Sequence, residues 1–208
     1  MKIGIIGAGR VGQAVAGRLV AAGHEVMLSN SDGPESLKTV KEALGRDAHA
    51  GTVQDAAAYG EVVFVAFPVA AMYDLPAAGL DGKIVVDATN YYPQRDGQIP
   101  ELDDGSIGSS ELLARDLPGS RVVKAMNTMS YVRLAREAKP AGAAGRLAIP
   151  LAGDDLVAKE IVSGLIDDMG FDPVDAGTLA DGRNQQPGTA VYDRPLETEG
   201  VRAALARP

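Results

Sequence analysis

The chain of 208 residues has no cysteine. That excludes disulfides, thiolate nucleophiles and cysteine metal sites, and it leaves the compartment open. Only two histidines are present, His24 and His49, too few for a histidine-rich metal centre. Positive charge is the scarcer sign. The 20 Lys and Arg stand against 28 Asp and Glu, for a net charge of −8, and no Lys/Arg run breaks that balance. Nucleic acid is therefore not an expected partner. Long apolar runs are missing too. The longest, residues 62–72, is interrupted at Pro68 and is too short to cross a bilayer. Gly7, Gly9 and Arg10 cut the apolar start too early for a signal peptide. These absences predict a soluble, cytoplasmic protein without a membrane partner. The 46% of hydrophobic residues supports a large core, and the length suits one large domain or a domain with a small appendage.

Short apolar runs alternate with helical patterns, the signature of βαβ units. The first six predicted strands lie at residues 2–6, 25–29, 49–51, 62–66, 83–87 and 121–125. Further strands are expected at 147–152 and 171–175. Helices are expected at 11–22, 34–44, 53–59, 70–78, from 109 or 110 onward, 131–137, 156–169 and 197–206. The apolar stripe Val11, Val15 and Leu19 falls at helical spacing, and Gly23 supplies its stop. The predicted fold class is α/β, a Rossmann-like, doubly wound, mostly parallel sheet with a small C-terminal extension. Residues 1–182 are expected to form this sheet domain. Residues 183–208 form a polar tail that serves as an interface or a pocket-completing arm.

Behind the first strand stands Gly7-Ala8-Gly9-Arg10-Val11-Gly12. The motif alone is common. Placed after a strand and before an amphipathic helix, it is a dinucleotide fingerprint. Gly7 permits the tight turn, Gly9 lets the backbone approach a pyrophosphate, and Gly12 lets helix and strand pack closely. The helix N-terminus contributes unpaired N–H groups and partial positive charge.

NAD-binding units usually end the second strand with an acidic residue that holds the ribose 2′-hydroxyl. Here that strand ends Leu28-Ser29-Asn30-Ser31. Small hydroxyl and amide groups suit a 2′-phosphate, which favours NADP. Asp32 is the contrary feature and keeps NAD open. Lys38 and Arg10 are the candidate cations. Asn30, Ser31 and Asp32 could also simply cap the next helix.

The chain resembles the NADP-dependent reductases of coenzyme F-420, a deazaflavin. The resemblance covers about the first 183 residues and rests on several segments. They include Gly4-Ile5-Ile6-Gly7-Ala8-Gly9, Ser29-Asn30-Ser31 with Gly33-Pro34, Val86-Asp87-Ala88-Thr89-Asn90 and Ser109-Ser110-Glu111. Val122-Val123-Lys124-Ala125-Met126-Asn127-Thr128, Ala152-Gly153-Asp154-Asp155 and Pro173-Val174-Asp175-Ala176-Gly177 complete it. The resemblance implies a Rossmann domain with a small C-terminal part, a homodimer, and hydride transfer between NADP(H) and the deazaflavin.

In an open α/β sheet the reacting rings lie over the carboxyl ends of the strands. Phe67 and Pro68 are then an apolar wall for the nicotinamide, and Thr89 and Asn90 bond its carboxamide or ribose. By analogy with the family, Asn127, Thr128 and Met129 face the acceptor. Asn127 and Thr128 read equally well as caps of the following helix. His24 reads as structural. Lys124 reads as a sheet-edge or surface residue, and Asp154-Asp155 as acidic helix caps. Tyr91-Tyr92 fold over the pocket or pack at an interface. A deazaflavin takes hydride on carbon and its ring nitrogen can exchange protons with water, so no catalytic histidine is required, and the sequence offers none in a suitable place. Two other functions remain open: NADPH-dependent reduction of a small imine or carbonyl, and non-catalytic sensing of NADP(H).

Overall fold

The computed structural model describes residues 1–206; Arg207 and Pro208, the last two of the expected tail, lie outside the described residues. The chain runs β1 (Lys2–Ile6), α1 (Arg10–Ala21), β2 (Glu25–Ser29), α2 (Lys38–Leu44), β3 (Ala48–Ala50), α3 (Val53–Tyr59) and β4 (Val62–Val65). It continues through α4 (Ala77–Leu80), β5 (Ile84–Asp87), α5 (Pro93–Asp96), α6 (Pro100–Asp103), α7 (Ser109–Asp116), β6 (Arg121–Lys124) and α8 (Tyr131–Arg136). It ends with β7 (Ala148–Gly153), α9 (Leu156–Asp168), β8 (Asp172–Asp175) and α10 (Thr198–Leu205). Three short 3-10 turns cover Pro34–Leu37, Val69–Asp74 and Ala180–Gln185.

One eight-stranded sheet has the order β3-β2-β1-β4-β5-β6-β7-β8. The first six strands are mutually parallel, in the doubly wound order with its switch point between β1 and β4. β7 then joins β6 antiparallel, pairing Val123 with Gly153 and Lys124 with Ala152, and β8 runs parallel to β7.

Every residue of β4 and β5 is buried, as expected of central parallel strands covered on both faces. Alternation along each strand feeds two cores. Ile3, Ile5, Leu28, Phe64 and Val86 meet Val15 and Leu19 of α1 on one face. Ile6, Val63, Val65 and Val85 meet α3 and α7 on the other, through Ala56, Ala57, Leu112 and Leu113. The tail is no loose appendage. Val191 and Val201 pack with Ala148 and Val174 on the β7–β8 edge.

Two expected helices are broken. Residues 34–44 divide into a 3-10 turn and α2. Residues 70–78 end at Leu75, whose φ of −70° and ψ of 142° is the extended geometry that Pro76 imposes on its predecessor. The one-turn helices α5 and α6, each with proline in its first turn, were not expected from the polar loop. Among the described residues no helix is long and apolar enough to cross a membrane.

The Tyr59 hydroxyl, at the end of α3, donates to Glu25 of β2 at 3.0 Å. Burial, and then the carboxylate, hold its pKa up to about 12. The folded chain therefore keeps this proton where the unfolded chain has lost it. Its stabilisation is complete below about pH 10 and is lost as pH rises towards 12. A Tyr59→Phe variant should lose less stability over that window. Urea unfolding at pH 9 and pH 11 checks the difference, and equal losses in both proteins would refute it.

Candidate active site

The glycine loop is built as its spacing demands. Gly7 leaves β1 with φ of +105°, a conformation that side chains resist, and its N–H donates to the Ser29 carbonyl at 3.0 Å. Gly12 lies against Gly7 so closely that a Cβ on it would stand 2.0 Å from the Gly7 carbonyl oxygen. The Gln13 amide donates to the Ala8 carbonyl at 2.8 Å and braces the turn. Gly9 begins α1, and no side chain caps that end. A Cβ on Gly9 would meet nothing within 4 Å. The first N–H groups of α1 thus face open space, as an anion site requires.

That space is a two-lobed cavity over the carboxyl ends of the strands, and its lobes share Gly9, Ala66, Phe67 and Pro68. The first lobe, about 310 Å³, is lined by Gly7, Ala8, Asn30, Ser31 and Val53 among others. The second, about 600 Å³, gathers Arg10, Val11, Thr89, Asn90, Asn127, Thr128 and Met129. Five strand ends, those of β1, β2, β4, β5 and β6, thus bring together the sequence-predicted residues of both regions. Two stand apart. Gly12 sits beneath the loop as a packing residue, and Lys38 lies exposed at the start of α2, lining neither lobe.

Asn30 ties its own turn. Its Oδ1 accepts from the Asp32 N–H at 3.2 Å, and its Nδ2 donates to Ser36 Oγ at 2.9 Å. The 3-10 turn that follows begins at Gly33 without a side-chain cap, so the turn leaves Asn30 and Ser31 on the cavity wall. Asp32 is exposed beside them.

The second lobe has a locked floor. Asn90 Nδ2 donates to the Asn127 carbonyl at 2.9 Å, and Asn127 Nδ2 donates to Asn90 Oδ1 at 3.1 Å and to the Gln185 carbonyl at 2.7 Å. Met126, just before Asn127, is buried with φ of +66°, a strained state for a non-glycine residue that packing must hold. Asn127 and Thr128 are not helix caps. Ser130 caps α8, its hydroxyl accepting from the Arg133 N–H at 3.5 Å. Two buried polar atoms here have no partner: Thr89 Oγ1 and Asn127 Oδ1. Unpaired buried polar groups are costly, and both are suited to a carboxamide or ribose. With the uncapped α1 end and the open face of Gly9, these residues fit a bound nicotinamide dinucleotide.

Lys124 corrects its expected sheet-edge or surface position. The strand β7 covers β6, and Lys124 is only 1% exposed, opposite the fully buried Asp87. Its Nζ lies 3.1 Å from Ser110 Oγ, 3.2 Å from Ser109 Oγ, 3.5 Å from the Thr89 carbonyl and 3.7 Å from Asp87 Oδ2. Asp87 accepts from Ser110 Oγ at 2.5 Å and from the Thr89 N–H at 2.8 Å. The cluster therefore grips both backbone polar groups of Thr89 from behind the cavity. Burial pushes the Lys124 ammonium pKa down, and the Asp87 charge opposes that shift.

The other singled-out residues are structural. His24 is buried beside Asp168, 3.2 Å from its carboxylate. Asp155 caps α9 by accepting from the Ala158 N–H at 2.7 Å, and Asp154 accepts from the Leu179 N–H at 2.9 Å. Tyr91 bonds Asp103 at 2.7 Å, away from the cavity. Tyr92 does line the second lobe, together with residues the sequence did not single out: Arg95, Ser130, Tyr131, Tyr192 and Asp193. The Arg10 guanidinium lies 5.2 Å from the Tyr131 ring centroid.

The family model for coenzyme F420-dependent NADP oxidoreductases matches residues 2–91, which carry the glycine loop and the turn after β5. The F420-dependent NADP reductase of Methanothermobacter thermautotrophicus is 31% identical over 154 residues, covering 67% of this chain and 66% of that protein. The chain belongs to this oxidoreductase family. Metalloreductase STEAP3 of Rattus norvegicus is 33% identical over 185 residues, or 88% of this chain. The chain spans about a third of that relative, 35% of its length. Among solved structures, a hypothetical protein from Sinorhizobium meliloti superposes with a TM-score of 0.83 at 36% identity, over 95% of both chains.

Proposed function

We propose that the chain transfers hydride between NADP(H) and a flat, conjugated acceptor of the deazaflavin class, coenzyme F-420. The observation that carries this reading is the two-lobed cavity joined across Gly9, Phe67 and Pro68. Its first lobe suits the adenosine half, with Asn30 and Ser31 toward a 2′-phosphate. The glycine loop and the α1 end suit the pyrophosphate, with Gly7, Ala8, Gly9, Arg10 and Val11 around it. Thr89, Asn90, Phe67 and Pro68 suit the nicotinamide. The remaining volume, beside Asn127, Thr128 and Met129, suits the acceptor. Hydride transfer is accelerated mainly by holding two rings in register, and the locked Asn90–Asn127 floor is built for that. The family's chemistry supports the same reading, with a cytoplasmic homodimer as the working form.

The test mixes the protein with NADPH and oxidised F-420 and follows the visible absorbance of the deazaflavin, with NADH as the paired control. Bleaching with NADPH supports the reading. Bleaching with NADH alone reverses the cofactor assignment. No bleaching with either, in a protein that binds NADPH, rejects F-420 as acceptor.

Asp32 sets an expected limit on NADPH affinity. Exposed charges near a surface interact by about 1 kcal/mol, roughly fivefold in affinity. Asp32→Asn should lower the KM for NADPH about fivefold and leave that for NADH unchanged. Steady-state kinetics with both nucleotides checks it, and an equal change for both would remove Asp32 from the 2′-phosphate site.

A further inference from the structure

One pair of hydroxyl groups in the cavity is given no role in the dinucleotide reading above. Tyr92 follows the turn after β5, and Tyr192 comes from the tail. Their hydroxyls are in direct hydrogen-bond contact, and both residues line the second lobe beside Thr89, Asn90 and Asn127. Tyr192 is held by its neighbour. The Asp193 N–H donates to the Thr128 carbonyl at 2.9 Å, its carboxylate accepts from Arg133 at 2.7 Å, and its φ of +51° turns the chain. Tyr92 is held by Arg95, whose guanidinium lies 5.0 Å from the ring centroid. Arg95 in turn donates to the Asn90 carbonyl at 2.6 Å and to Asp96 at 2.9 and 2.8 Å.

We infer that this pair supplies the proton that accompanies hydride transfer, with Tyr92 donating to the acceptor and Tyr192 replenishing Tyr92. The inference rests on the hydride-transfer reading of the site. A conjugated acceptor that takes hydride on carbon gathers the displaced electron pair on a ring nitrogen or carbonyl oxygen. That atom then needs a proton. As the C–H bond of NADPH breaks and a C–H bond forms on the acceptor, the Tyr92 O–H bond breaks and a proton joins the acceptor's heteroatom. Tyr92 regains a proton from Tyr192, which recovers one from water. NADPH is oxidised and the acceptor reduced, with one proton consumed.

Among the described residues of this lobe the other candidates are poorly suited. Asp193 is engaged by Arg133, and Arg10 and Arg95 do not give up protons at neutral pH. Serine and threonine hydroxyls are far weaker acids than phenols. Tyr131 sits under Arg10 at the rim, 38% exposed. Arg95, over the Tyr92 ring, offsets the negative charge left when a proton departs. Burial, and then the Tyr92 hydroxyl, raise the Tyr192 pKa above the ordinary tyrosine range. Tyr192 thus holds its proton at neutral pH, as the replenishing group must.

Tyr92→Phe and Tyr192→Phe test the inference in the full chain. NADPH fluorescence titration and thermal melting establish that each variant folds and binds. With F-420 as acceptor, each should lower kcat by about a hundredfold and change the acceptor KM only a few-fold. In near-UV alkaline titration, Tyr92→Phe should move the latest tyrosine ionisation downward, because Tyr192 loses its partner. Values of kcat within twofold of the parent, or an unmoved ionisation, overturn the proton-donor role while leaving the hydride-transfer reading intact. If the parent does not reduce F-420, the same variants are assayed with cyclic imines and aldehydes. Turnover that depends on both tyrosines then upholds the pair and rejects the deazaflavin. No turnover on any of these acceptors overturns both.

Discussion

Lys124→Met should lower the free energy of unfolding by about 3–5 kcal/mol, the cost of leaving a buried carboxylate without its counter-charge. Asp87 is fully buried and keeps only Ser110 and the Thr89 N–H once the ammonium is gone. Methionine fills similar volume without charge, so a cavity contributes little to the loss. Asp87→Asn added to Lys124→Met removes the stranded charge and should recover most of the stability. Urea unfolding of the two single variants and the double variant gives the coupling. Losses that simply add would show that the two residues do not act as a pair. The pH dependence carries a second signature. Burial lowers the Lys124 pKa, so on approaching the ordinary lysine value of about 10.4 the unfolded chain binds more protons than the folded one. Stability from this group therefore rises with pH in that window, and Lys124→Met abolishes the rise. Because Lys124 and Asp87 together hold both backbone groups of Thr89, the variant should also weaken NADPH binding, which fluorescence titration reads separately.

The position of Lys124 shows where sequence and structure part. β1, the glycine loop and α1 are written in contiguous residues, and the central strands declare themselves as uninterrupted apolar runs. Helix ends with local signals were equally legible, as at Thr52, which opens α3 with a capping box. What β6 faces depends instead on β7, an antiparallel strand that arrives after a glycine-rich loop and converts an edge into an interior. A lysine ending the short run Arg121-Val122-Val123-Lys124 carries no trace of the aspartate awaiting it in β5. The cavity follows the same rule. Asn90, Asn127 and Thr128 could be placed because strand ends converge in any doubly wound sheet. Tyr192 and Asp193 could not, because a polar tail gains its place only through Thr128 and Arg133, far back in the chain. The break at Leu75 has a local cause in Pro76, which disfavours a helical predecessor.

Gly9→Ala and Gly12→Ala should both reduce NADPH affinity by about a hundredfold, the scale of a misplacement of about 1 Å at a positioning site, but they should part company on stability. At Gly9 the added methyl meets no protein atom within 4 Å. The backbone there is extended, with φ of −73°, which any residue adopts. The free protein should therefore melt within a few degrees of the parent. The expected loss of affinity comes from the methyl filling the space proposed for the pyrophosphate. At Gly12 the methyl would stand 2.0 Å from the Gly7 carbonyl oxygen and 3.4 Å from Ile5 Cγ2. A carbonyl cannot swing aside as a side chain does, so α1 must lift from β1 and carry the loop with it. Overpacking of this kind costs about 1–3 kcal/mol. Alanine returns about 1 kcal/mol through its better helix propensity, which leaves a net loss of up to about 2 kcal/mol. Thermal melting beside NADPH titration separates the two cases. A Gly9→Ala protein that binds NADPH normally would remove the pyrophosphate from the α1 N-terminus. A Gly12→Ala protein of unchanged stability would mean that the contact between α1 and the loop is looser than the structure has it.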